Sequence, residues 1–312
     1  MNRARAASIA VVALVILAGC AGGGPADPST GTTTVSEEQG STTDESADDG
    51  DEWTLFESEP TSMDGVDDAA VKRETVRSLA AVDSYRLNGT VERTLRMPGD
   101  SIESKVTSQG VVDRESRSLR LHENTTGHMQ TVETRLRVVD GALYQSYDAQ
   151  HHDSDGDWQR SSISDSTLRS LDPLARQTRM LENATVVVTN TTTIDGTEAY
   201  VLYADVNESV YATEQDRQLG DQPLQVTEVT YRYYVATDTH RLLEADGIVR
   251  GTVQSGNETV ELAEQYDIAI ADYGTSVDVT APEVTAEATT ANDTDATTAT
   301  ATTTANPSAS AG

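Results

Sequence analysis

The chain has 312 residues, with 22 Lys plus Arg against 52 Asp plus Glu, a formal charge of −30 at pH 7. Lysine occurs only at Lys72 and Lys105, and a chain this acidic disfavours nucleic acid, whose binding rests on cations neutralising phosphates. The same charge repels anionic membrane surfaces, yet keeps a protein hydrated in concentrated salt, where the Debye length shrinks to a few Å.

In chain order, Arg3 and Arg5 precede an apolar run over residues 6–18. About a dozen residues are too few to span a bilayer as a helix, which takes roughly 20. This is the anatomy of a signal peptide, residues 1–19. The run ends in Leu17-Ala18-Gly19-Cys20, which resembles the lipobox of secreted lipoproteins. The resemblance implies cleavage before Cys20, a lipid thioether on its sulfur, and a lipid-anchored protein on the outer face of the cell membrane. An ordinary signal peptide with an incidental cysteine is the alternative. Cys20 is the only cysteine, so no intramolecular disulfide is available.

Residues 20–60 are Gly, Ser, Thr, Asp and Glu with little to bury, and residues 283–312 are nearly all Thr and Ala with scattered acids. Neither stretch offsets the entropy of ordering, so a disordered acidic tether and a disordered tail are expected. Trp53, Leu55 and Phe56 interrupt the tether; they either staple it to the domain or form a partner motif. Residues 61–282 are one domain's worth of chain.

Within that domain, residues 67–83 read as a helix. Asp67 or Asp68 suits the N-cap, and Val71, Thr75, Leu79 and Val82 make one apolar stripe. From Ser84 the period changes from 3.6 to 2. Tyr85, Leu87, Gly89 and Val91 alternate with polar residues, and strands follow over 102–112, 118–123, 129–139 and 142–147, with a short one opened by Trp158. Asp140-Gly141 is a tight hairpin signal.

Residues 164–182 form the second helical region. Asp172-Pro173 reads as N-cap and first residue of a new helix, so a short helix should break there and a second end near Leu181. Leu168, Leu171, Leu174 and Leu181 give it an apolar face. A second β block follows over 184–206, 225–236, 241–254 and 258–271, with Asp195-Gly196 as a turn and Val277 and Val279 as a further short strand. On 225–236, Val229, Tyr231, Tyr233 and Val235 share one face, and Thr230, Arg232 and Tyr234 the other. The sum is α+β: a large curved antiparallel sheet of about ten strands, a half-open barrel, with helices covering its concave face.

There is no Gly-x-Ser-x-Gly elbow, Gly-rich phosphate loop, His-Glu-x-x-His or Cys pair. The loop His151-His152-Asp153-Ser154-Asp155-Gly156-Asp157 collects possible cation ligands, but its Gly and Glu spacing is not that of an EF-hand. A solvated hairpin turn is the preferred reading, and neither a metal nor a cofactor is expected. Of seven Asn-x-Ser/Thr sequons, Asn124 and Asn190 are the preferred glycosylation sites.

Four stretches carry a family resemblance: Val82-Asp83-Ser84-Tyr85, Leu171-Asp172-Pro173, Ile194-Asp195-Gly196-Thr197-Glu198-Ala199-Tyr200, and Tyr233-Tyr234-Val235 through Asp238-Thr239-His240-Arg241-Leu242. Over residues 67–273 the chain resembles the LolA/LolB-like lipoproteins, and within them the LppX/LprG type and related haloarchaeal lipoproteins. The resemblance implies a half-open barrel holding an acyl chain or a lipoprotein's lipid between sheet and helices. The expected function is a membrane-anchored extracytoplasmic lipoprotein, not an enzyme. It binds a lipid or isoprenoid chain in a cavity lined by Leu168, Leu171, Leu174, Tyr231 and Tyr233. The alternative is a structural or interaction lipoprotein of the cell surface with a closed core and no ligand.

Overall fold

A computed structural model describes residue 55 and residues 60–127, 131–149, 158–219, 224–255 and 258–284. Cys20, Trp53, Phe56, the 151–157 loop and nearly all of the proposed tether and tail lie outside the described residues.

The elements in order are α1 (Asp68–Ala80), β1 (Ser84–Met97), β2 (Asp100–Asp113), β3 (Ser118–Gly127), β4 (Thr131–Val139), β5 (Ala142–Ala149), β6 (Gln159–Ser162), α2 (Asp165–Ser170), α3 (Pro173–Glu182), β7 (Ala184–Ile194), β8 (Thr197–Val206), α4 (Glu208–Leu219), β9 (Leu224–Ala236), β10 (Leu242–Ser255) and β11 (Glu258–Ala271). All eleven strands form one antiparallel sheet, ordered β6-β5-β4-β3-β2-β1-β11-β10-β9-β8-β7. Two meanders are welded where the first strand pairs with the last, from Arg86↔Ala271 to Arg96↔Glu261. Each break in the pattern has a local cause. Asp67 accepts from the Ala70 amide at the start of α1, and Asp172 from the Ala175 amide at the start of α3. Asp140-Gly141 and Asp195-Gly196 both hold the positive φ angles that a two-residue hairpin requires.

Strand order dictates the curvature. β6 and β7 are the two edges of the sheet, although they are consecutive strands in the chain. Laid flat, a sheet of eleven strands would measure about 48 Å across. The helical link over residues 165–182 reaches only about 27 Å. The sheet therefore curls toward the link, which lies across its concave side, while β6 and β7 remain unpaired with each other.

Register defines the concave face. One row runs Leu202, Tyr233, Ala245, Ile268, Gly89, Ser108, Glu123 and Thr134 from β8 to β4. The next runs Ala204, Tyr231, Gly247, Tyr266, Val91, Val106, Thr125 and Val132. A Cβ on Gly247 would stand 2.5 Å from Tyr231 Cε1, so glycine there lets the tyrosine ring lie flat on the sheet. The opposite face is polar: Arg86, Asn88, Arg120, His122 and Asn124 are exposed. On that face Arg232 binds Asp246 through Nε at 3.0 Å and reaches the Leu55 carbonyl at 3.1 Å.

Helix α1 buries Val71, Thr75 and Leu79, the expected stripe. It rests on α3 and β7, where Lys72 Nζ donates to the Glu182 and Ala184 carbonyls at 3.0 and 2.7 Å. Among the described residues the strands number eleven, in keeping with the expected ten or so. Two expectations are corrected. Residues 277–279 form no strand, because β1 already pairs with β11 on one side and β2 on the other. Helix α4 was not anticipated: only Val210 and Tyr211 break its polar opening, too thin a stripe to signal a helix.

Candidate functional site

The candidate functional region is the interface between the helices and the concave face. The stretches at residues 82–85 and 171–173, far apart in sequence, meet there. Tyr85, fully buried, donates from its hydroxyl to Asp172 Oδ1 at 2.6 Å and accepts from the Leu174 amide at 3.1 Å. Arg114 grips the same carboxylate through Nε and Nη2, at 2.6 and 3.2 Å, and donates from Nη1 to the Leu79 and Val82 carbonyls at the end of α1. Burial alone would lower the Arg114 pKa; the Asp172 carboxylate outweighs it and the pKa is raised. Three residues, Tyr85, Arg114 and Asp172, thus fix the end of α1 to the start of α3 and both to β1.

Below α3 the interface turns polar. Arg93 on β1 and Glu264 on β11 are cross-strand partners, 5% and 0% exposed, joined through Nε and Oε1 at 2.5 Å. The other oxygen of Glu264 accepts from Tyr211 Oη of α4 at 2.9 Å and from Tyr266 Oη. Burial alone would raise the Glu264 pKa; Arg93 and the two hydroxyls reverse it and hold it below the usual carboxylate range. Burial and then the Glu264 charge push both tyrosines well above the usual phenol range, so both stay protonated donors. Arg176 of α3 faces the same cluster, its guanidinium 5.4 Å from the Tyr211 ring and 5.7 Å from the Tyr266 ring.

Two spaces adjoin α3. A groove of about 450 Å³ lies between α2, α3 and the β2–β3 turn. Val112, Leu119, Leu168 and Ala175 give it an apolar lining, and Arg114, Arg169, Asp165 and Glu182 add charge. On the sheet side, a cavity of about 20 Å³ is bounded by Gly89, Ser108, Pro173, Arg176, Gln177 and Tyr266.

The five residues expected to line a cavity divide between these surroundings. Leu168 is half-buried and lines the groove. Leu171 and Leu174, 2% and 0% exposed, belong to the core. Tyr231 and Tyr233 are fully buried on the concave face with rings stacked 5.5 Å apart, and Tyr233 Oη donates to Gln177 Oε1 at 3.1 Å. Asn124 is exposed on the convex side of β3, and Asn190 is exposed at a bulge in β7. Arg93, Arg176, Tyr211, Glu264 and Tyr266 were missed, although a signal was present. Arg93 continues the inward parity of Leu87 and Val91, and Glu264 falls between inward Leu262 and Tyr266. A charge on the buried parity of two strands is a cluster signal.

Glu123 is a second buried carboxylate, 5% exposed on the concave face, with Oε1 lacking a hydrogen-bond partner. Burial raises its pKa from 4.5 to about 7. A raised folded-state value means its stabilising proton is fully held below pH 4.5 and lost as pH rises through 7. Relative to Glu123→Gln, the wild-type protein should lose on the order of 3 kcal/mol across that window. Urea unfolding of both proteins at pH 5 and pH 8 measures it; a difference that does not change with pH contradicts the assignment.

Among the described residues no cluster of three His, Cys, Asp or Glu is placed to hold a metal, and no helix is long and apolar enough to cross a membrane. No protein-family model and no curated protein matches the chain. Solved structures similar to it include LprF from Mycobacterium bovis, at 14% identity and TM-score 0.42, covering 68% of this chain and 95% of that one. Lipoprotein LppX from Mycobacterium tuberculosis is similar at 15% identity and TM-score 0.39, covering 69% and 100%. A LolA superfamily protein from Nitrosomonas europaea is similar at 10% identity and TM-score 0.21, covering 67% and 93%.

Proposed function

We propose that this protein is an extracytoplasmic lipoprotein, held to the cell membrane by lipid on Cys20, that binds an apolar ligand between its helices and its unclosed sheet. The observation that carries the reading is the groove of about 450 Å³ beside α2 and α3. That volume falls within the roughly 300–1,000 Å³ of small-molecule sites, and its apolar lining comes from both helices and sheet. Binding would proceed by burial of alkyl surface, about 0.8 kcal/mol per methylene, with no bond made or broken. Leu168 is the groove residue of the proposed lining; Leu171, Leu174, Tyr231 and Tyr233 form the layer behind it. Asn124 and Asn190, both exposed, are the proposed glycan sites.

A second reading rests on a different observation. Leu171, Leu174, Tyr231 and Tyr233 are at most 2% exposed, as in a closed core, which suits a surface interaction lipoprotein without cargo. Mass spectrometry of organic extracts of the purified full-length protein separates the two. The carrier reading expects a stoichiometric lipid or isoprenoid, reduced at least tenfold in Leu168→Trp with the unfolding midpoint unchanged. An empty wild-type extract, with a midpoint that added decanol leaves unmoved, sinks the carrier and favours the closed core.

A further inference from the structure

We infer that Arg176 is the receptor for an anionic oxygen group, a carboxylate or a phosphate, that enters the helix–sheet interface along the edge of its guanidinium. The inference rests on the carrier reading and deepens it: the ligand is then an amphiphile whose acidic end turns inward, beneath α3.

Three observations converge on this residue. The first is charge balance. Arg93 and Glu264 neutralise each other at 2.5 Å. Arg176 is 7% exposed, so among these three buried charges one positive charge is left over. A desolvated charge without a partner is costly, and a bound anion removes the imbalance.

The second is geometry. The Tyr211 and Tyr266 rings lie 5.4 and 5.7 Å from the guanidinium carbon. Aromatic rings attract a guanidinium without accepting its in-plane N–H bonds in the way a carboxylate does. Nε and Nη2 are the two donors of one edge of the guanidinium, and neither has a hydrogen-bond partner. That edge is the fork which holds a carboxylate or phosphate through two parallel bonds.

The third is a neighbouring donor in the same state. The Tyr231 hydroxyl, 0% exposed, has no partner either, and its ring lies 6.2 Å from that of Tyr266. Arg176 also bounds the cavity of about 20 Å³ closed by Gly89 and Ser108, room for roughly one water-sized group. The described state therefore has space for the tip of a ligand. Anything longer must part α3 from β1 and β11.

The test uses the full chain at fixed ionic strength with four probes: decanoate, decanol, acetate and inorganic phosphate. Affinities come from titration calorimetry, and the unfolding midpoint is followed in parallel. Decanoate should bind at least tenfold tighter than decanol, and the ratio should fall to near one in Arg176→Met. Tyr231→Phe deletes one oxygen and keeps the ring, so it provides a folded variant in which the ratio should fall partway. Equal binding of decanoate and decanol to wild type overturns the anion site and leaves the carrier reading standing. Acetate or phosphate raising the midpoint through Arg176, while neither decyl compound binds, keeps the anion site and removes the carrier. Failure of all four probes overturns both.

Discussion

Replacing Glu264 by glutamine is expected to cost about 3–5 kcal/mol of folding stability, the usual consequence of removing one partner from a buried ion pair. Glutamine keeps the volume and removes the Glu264 charge that faces buried Arg93. For a domain of this size the loss corresponds to a midpoint lowered by about 10 °C. Arg93→Met combined with Glu264→Gln should cost less than the two single changes added together, because the double variant removes both desolvated charges. The pH dependence carries the same information. Glu264 has a depressed folded-state pKa, so its stabilising charge is present above its ordinary value of 4.5 and lost as pH falls below it. Wild type should therefore converge on Glu264→Gln in acid. A loss below 1 kcal/mol, or one that persists unchanged in acid, contradicts the pairing.

The second large effect is at Asp172. Asp172→Ala removes the N-cap of α3, both Arg114 bonds and the acceptor for Tyr85. A lost cap costs about 1 kcal/mol, and a charge-assisted hydrogen bond about 1.5–3. The expected loss is about 3 kcal/mol or more. Tyr85→Phe, which deletes one hydroxyl from the same junction, should cost about 1 kcal/mol. Urea unfolding of both variants decides the point. A loss at Asp172 no larger than that of an ordinary cap would show that Arg114 does not tie α1 to α3.

Much of the fold was legible because its causes are local. The change of period at Ser84 follows from the chain entering a sheet whose one face is buried and whose other face is wet. The break at Asp172-Pro173 follows from a capping carboxylate beside a residue that cannot donate its amide. Asp140-Gly141 and Asp195-Gly196 accept the left-handed backbone of a two-residue hairpin. Even the split of Tyr231 and Tyr233 from Arg232 and Tyr234 was set by alternation alone. Helix α4 escaped because only Val210 and Tyr211 break its polar opening, and its contacts are long-range, with the Tyr211 hydroxyl reaching Glu264 more than fifty positions away.

The candidate site was legible only in part, and for the same reason. The stretches that carry the family resemblance prove to be junctions and turns that build the fold; the polar cluster lies elsewhere. The sequence by itself determined which strand residues share a face, where the first three helices start and where the hairpins turn, since each depends on neighbours within about four positions. Tertiary structure alone decided that β1 pairs with β11, that Tyr85, Arg114 and Asp172 meet, and that Arg93, Arg176 and Glu264 share one dry interior. Those contacts join residues as far apart in the chain as Arg86 and Ala271. Their energy comes from desolvation, and no local periodicity records which distant groups lose water together.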